Sequence, residues 1–215
     1  MNKNTIIITV ISIVMMIGFL YGAYMLTTKP EVTEYPELQT VKPNDHFKWS
    51  KEKKNILIEY SDLQCPACGQ YHNIILKEVE KDKNITGTVT FVYRHFPLDN
   101  AHPNAREAAY ATEAASKQGK FWGMHDMLFE NQEEWSDKSN PDEIFISYAK
   151  KLKLDTDQFK KDMTSKGVQD IVQNDFLSGA KIDVQGTPTF YLNGKKLANP
   201  GSVEEFKQLL QESIN

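Results

Sequence analysis

Cysteine is scarce in this chain. Its 215 residues include only two, Cys65 and Cys68, placed two residues apart in "YSDLQCPACGQYH". No second Cys-x-x-Cys exists, so a structural zinc site built from two such pairs is excluded. No run of lysine or arginine forms a phosphate-binding footprint. With 25 basic and 29 acidic residues the net charge is −4, which argues against nucleic acid as a partner. No internal repeat or low-complexity tract interrupts the sequence. Charge is also missing from Ile6 to Leu26, a stretch about as long as the roughly 20 residues a bilayer core requires. Its only cleavage-like ending, "YGA", puts bulky Tyr21 where a small residue is needed, and no cysteine lies nearby for lipidation. The reading is therefore an uncleaved anchor rather than a signal peptide. Lys3 precedes the stretch, while Lys29, Glu31, Glu34 and Glu37 follow it. That asymmetry leans towards a cytoplasmic N-terminus and an exported body, in a compartment where disulfides persist.

The remaining sequence divides by composition. Residues 1–5 read as a cytoplasmic tail, 6–26 as the anchor and 27–48 as an extended, proline-bearing linker. The folded body is expected from 49 to 215. "NILIEYSD" is short, apolar and rich in strand formers, which predicts a buried strand. Pro66 suits the first position of a helix running to about Lys83, because its missing N–H costs nothing there. "GTVTFVYRHF" predicts a second strand. From about 100 to 182 the pattern is helical, with Asn140 and Asp155 as N-caps and Gly167 as a stop. "TPTFYLNGKKLA" predicts two strands about an Asn193-Gly194 turn. Ser202 and Glu205 open a capping box for a last helix. The order is β-α-β, a helical block, then β-β-α, and a strand–helix–strand unit implies a parallel pair with a right-handed crossover.

Three readings compete for Cys65 and Cys68. A metal site reaches at most three ligands, with His72 as the third, and a lone histidine on an exposed helix face is the commoner case. A structural staple gains little, because closing so short a loop removes little chain entropy. A redox centre explains more. Cys65 stands just before a helix, whose free N–H groups and dipole favour a thiolate, and Cys68 lies one turn on, within reach of a mixed disulfide at Cys65. Cys-x-x-Cys after a strand of a β-α-β unit is the context that reading requires. Glu59 has no polar face around it, among Ile56, Leu57 and Ile58, and is expected to be buried. His95, His102 and His125 have no nucleophile to serve, and Phe121, Trp122, Phe129 and Trp135 read as core.

"EYSDLQCPACGQY", the stretch from "VYRHFPLDNAHPNAREAAYATEAASKQ" to "ENQEEW", and "VQGTPTFYLNG" together resemble the DsbA-like branch of the thioredoxin-fold thiol–disulfide oxidoreductases, in particular its membrane-anchored bacterial forms. The resemblance covers about 56–212 and implies an α/β thioredoxin fold with a large helical insertion. It implies that Cys65 is the nucleophile, Cys68 its buried partner and Glu59 a buried acid passing protons to or from Cys68. Pro188 matches the family's cis-proline, with Thr187 before it as a place to dock substrate backbone. Pro66 and Ala67 tune the pair. The well-studied oxidases carry histidine in that dipeptide, so a less acidic thiol and a less oxidising disulfide are expected here. The implied protein is a monomer with no cofactor beyond the Cys65–Cys68 disulfide and no metal. It oxidises unfolded or reduced exported proteins and is itself reoxidised by a quinone-linked membrane partner. The alternatives are a reductase or isomerase, or a metal-delivery module using Cys65, Cys68 and His72.

Overall fold

The structure, a computed structural model, describes residues 2–27 and 33–212, apart from the side chains of residues 5, 6, 8 and 25–27. It separates into two units, Met1–Thr33 and Glu34–Asn215. The first unit contains a helix, Lys3–Thr27, whose described apolar side chains are mostly exposed, Phe19 to 76% and Met15 to 66%. Among the described residues no helix is long and apolar enough to cross a membrane. The expected anchor at 6–26 falls on the helix Lys3–Thr27, with the side chains of residues 6, 8, 25 and 26 outside the described ones. Residues 28–32 of the linker expected at 27–48 lie outside the described residues.

The second unit is built on the two apolar runs read from the sequence. β2, Asn55–Ser61, and β3, Val89–His95, pair in parallel, with Ile58 opposite Val92 and Glu59 opposite Tyr93. β4, Thr189–Leu192, runs antiparallel to β2, and β5, Lys195–Lys196, pairs with β4. β1, His46–Trp49, covers the far edge of β3, so the sheet order is β1-β3-β2-β4-β5. Neighbouring residues of β2 feed opposite faces. Leu57 packs with the helices around Cys68, whereas Ile56, Ile58 and Tyr60 pack with Leu38, Phe96, Ile182 and Tyr191. Both faces are covered, which is why β2 reads as a continuous apolar run. Each fully buried aliphatic or phenyl side chain contributes about 1.5–3 kcal/mol.

The helical block consists of Ala105–Ser116, Phe121–Glu130, Gln132–Trp135, Asp142–Lys151, Thr156–Met163 and Lys166–Lys181. Asp155 caps its helix, accepting from the N–H groups of Asp157 and Gln158. In the hairpin, Asn193 and Gly194 both take positive φ, 51° and 80°, as a type I′ turn requires.

Two features differ from the sequence reading. The chain joins the folded unit at Glu34, not at 49: Leu38 is 1% exposed and β1 ends where the body was expected to begin. Its anchoring residues are spaced singly among polar ones, so no periodicity announces them. Gly167 does not stop a helix. Ser165 caps the helix it sits in, accepting from Val168 N–H, and the glycine falls in the first turn.

Candidate active site

Cys65 ends the loop after β2 and is the N-cap of the helix that opens with Pro66–Gln70. Its backbone is fixed from three sides. Asp62 Oδ1 accepts from the N–H groups of Gln64 (2.7 Å) and Cys65 (3.2 Å). Gln132 Nε2, from the helical block, donates to the carbonyls of Leu63 (2.7 Å) and Cys65 (3.0 Å). Gln64 ties the loop to the same block, donating to Ser136 O (2.8 Å) and accepting from Asn104 N–H (2.7 Å). The other oxygen of Asp62 meets Leu98 N–H (2.8 Å) and His102 Nδ1 (2.7 Å). The nucleophile loop is thus clamped between the sheet and the insertion.

The two sulfurs occupy unlike surroundings. Cys65 is 7% exposed and Cys68 is wholly buried; both are free thiols. Hydrogen bonding by the Cys68 thiol lowers the Cys65 pKa from 9.0 to about 5. Burial opposes this, while the backbone N–H groups of Cys68 and Ala67 and the Thr187 side chain add to it. Burial, the bond to Cys65 and the Glu59 charge push Cys68 well above 9.0. The Cys65 thiol also donates to Thr187 O at 3.5 Å. The Thr187–Pro188 bond is cis, and Asn199 Nδ2 donates to Pro188 O at 2.9 Å.

Glu59 is 1% exposed, with Oε1 lacking a hydrogen-bond partner. Burial raises its pKa from 4.5 to about 7, partly offset by the neighbouring Ser61 hydroxyl. A carboxyl titrating there can hold or release a proton at neutral pH.

His72 departs from the reading. It is 3% exposed, not on an open helix face, and its ring stacks on Phe129 at 4.9 Å. Among the described residues the one group of His, Cys, Asp and Glu side chains close enough to hold a metal is His72, His125 and Asp126, which leaves out both cysteines. Sequence reasoning also missed Asp62 and Gln132. An aspartate three residues before a Cys-Pro helix start is an Asx-turn signal that marks the first. Gln132 carries no local signal, because its partners are about seventy residues away.

A family model described as a thioredoxin matches residues 42–212. The chain is 36% identical over 160 residues to the Na(+)/H(+) antiporter NhaA 3 of Salinispora tropica, covering 74% of this chain and 23% of that protein. It thus spans about a quarter of the length of that relative. It is 32% identical over 148 residues to the probable disulfide bond formation protein D of Bacillus cereus, covering 67% of each. Among solved structures, oxidised BdbD from Bacillus subtilis superposes with a TM-score of 0.73 at 22% identity, over 86% of this chain and 99% of that one. Wolbachia pipientis alpha-DsbA1 also reaches 0.73, at 23% identity over 83% and 95%.

Proposed function

The chain belongs to the thioredoxin family, and on that premise we propose that it is a DsbA-like thiol–disulfide oxidoreductase that introduces disulfide bonds into exported proteins through its Cys-Pro-Ala-Cys centre. The observation that carries this reading is the asymmetry of the pair. The more accessible sulfur sits at a helix start facing Thr187 O, and its partner is buried.

A thiolate of a reduced substrate attacks Cys65 Sγ of the oxidised pair. The S–S bond breaks, Cys68 leaves with the electron pair and takes a proton, and Glu59 is the group that supplies it. A second substrate thiolate then attacks the substrate sulfur of the mixed disulfide and expels Cys65 as a thiolate. Two electrons have passed from substrate to enzyme. The low Cys65 pKa makes it a good leaving group in that second step and favours the reduced enzyme. The Thr187–Pro188 corner docks substrate backbone, supported by the place of Thr187 O against the reactive sulfur. A quinone-linked membrane partner removes the two electrons.

The uncharged stretch of residues 6–26, read from the sequence, is proposed as the segment that attaches the protein to the membrane. The exposure of its described apolar side chains supports that role. The deciding measurement is the reduction potential of the Cys65–Cys68 couple against glutathione, together with oxidative refolding of a reduced substrate. A potential well above about −270 mV with catalysed oxidation is expected; a value near about −270 mV without it would make the protein a reductase.

A further inference from the structure

One turn beyond Cys68 the active-site helix carries His72, and the helix Phe121–Glu130 brings His125 and Asp126 to meet it. One ligand atom from each of the three lies within 4.8 Å of the others. Asp126 Oδ1 is 2.8 Å from His125 Nδ1 and 3.6 Å from His72 Nε2. Both rings are almost wholly buried, 3% and 2% exposed, and Nε2 of each lacks a hydrogen-bond partner. Buried polar atoms are nearly always satisfied, so the orphaned His72 Nε2, 3.6 Å from Asp126 Oδ1, asks for an occupant. With the proton of His125 on Nε2, its Nδ1 lone pair faces Asp126 Oδ1 at 2.8 Å, so that Nδ1, the carboxylate oxygen and His72 Nε2 converge. Burial keeps both imidazoles neutral, lowering His72 to about 3 and His125 well below 6.5, and neutral imidazole is the ligating form.

The surroundings fit an ion. Phe129 stacks on His72, while Tyr93 and Trp122 stand edge-on to His125 at 4.6 and 5.1 Å, fixing the rings in a dry wall. The Asp126 side chain is 40% exposed, which leaves a way in. The nearby cations are already paired, Lys48 with Glu80 at 2.9 Å and Lys77 with Glu130 at 2.6 Å. His72 belongs to a π-helical segment, Tyr71–Leu76, a departure from α geometry that is frequent at functional sites. Two nitrogens and a carboxylate suit a zinc-like ion and not the all-oxygen shells of calcium or magnesium. Metal–ligand bonds of about 2.0–2.1 Å put tetrahedral neighbours about 3.3 Å apart, a value bracketed by the 2.8 and 3.6 Å gaps.

We propose that His72, His125 and Asp126 bind a divalent transition-metal ion of the zinc type, with water completing its shell, and so clamp the active-site helix to the helical insertion. The site uses neither cysteine and stands apart from the redox reading. The test takes the full chain, stripped with chelator and with Cys65–Cys68 oxidised so that no thiolate is free. Zinc chloride is titrated against a chromogenic chelator, and cobalt(II) is used to read the ligand field. One ion per chain at micromolar zinc is expected, with a thermal midpoint that rises with zinc and a cobalt spectrum free of sulfur charge transfer. Asp126→Asn, a change at an accessible side chain, should weaken binding about tenfold or more with an unchanged circular dichroism spectrum. Cys65→Ser should leave binding intact. Absence of binding below millimolar zinc would overturn the proposal. So would binding indifferent to Asp126→Asn, or binding seen only in the reduced protein, which would put the ion on the dithiol.

Discussion

The low pKa of Cys65 has a nameable main cause, and removing it is a sharp perturbation. The Cys68 thiol is the leading hydrogen-bond donor to the Cys65 sulfur, ahead of the backbone N–H groups of Cys68 and Ala67. A hydrogen bond to a charged group contributes about 1.5–3 kcal/mol. At about 1.4 kcal/mol per pKa unit, losing it should raise Cys65 by roughly one to two units. In Cys68→Ala the pKa should therefore move from about 5 to about 6–7. It should stop short of 9.0, because the backbone donors remain. Cys68→Ser, which keeps a donor at that position, should stay near the wild-type value. Thiolate absorbance against pH, checked by the pH dependence of iodoacetamide alkylation, reads all three proteins. A value unmoved in Cys68→Ala would refute the assignment, leaving the helix start alone responsible. A rise to 9.0 would refute the part given to the backbone N–H groups.

Glu59 is protonated in the fold up to about pH 7, whereas the unfolded chain loses that proton near 4.5, so the wild type loses stability as pH rises between those values. Glu59→Gln has no such slope and should be more stable by about 3 kcal/mol at pH 8, converging with wild type below pH 4.5; denaturant midpoints across pH check it. Gln132→Ala removes both donors to the Leu63 and Cys65 carbonyls and should cost about 1–3 kcal/mol, read as a lower urea midpoint at unchanged slope. Arg94 is buried and held by Asp45 through two 2.9 Å bonds, so Asp45→Ala strands a buried charge and should cost about 3–5 kcal/mol, while replacing both by apolar residues should cost less. In the reduced protein, limiting iodoacetamide should label Cys65 before Cys68, which adduct mapping would show.

Local chemistry was readable wherever a residue acts on its own neighbours. Pro66 starts its helix, and Asp155 caps one. Ser202 Oγ accepts from Glu205 N–H at 3.1 Å, while the Glu205 carboxylate reaches back to Gly201 N–H at 2.7 Å, one residue beyond the Ser202 N–H that the expected box uses. Asn140 accepts from Asp142 N–H, yet Pro141 takes the cap position. What depends on a distant partner was hidden. β1 is four half-buried residues, recognisable only by the edge of β3 that it covers. His72 looked solitary because the residues that bury it, His125 and Phe129, come from the insertion. The missing histidine between the cysteines predicted a milder thiol. A pKa of about 5 lies inside the range of about 3.5–7.5 open to activated cysteines, and side-chain and backbone donors alone produce it.

The end of the sheet has a bearing on how such a protein survives its clients. β5 is two exposed lysines long, and the main chain at Glu34–Tyr35 lies beside it, with Glu34 bridging Lys195 and Tyr35 N–H donating to Gly194 O at 2.9 Å. An open strand edge is a template on which any extended polypeptide can add itself. A protein proposed to handle chains that have not yet folded meets such polypeptides constantly. Two ammonium groups that resist desolvation, and a segment already occupying the outer hydrogen bonds, deny them that template and keep aggregation from starting on the catalyst itself.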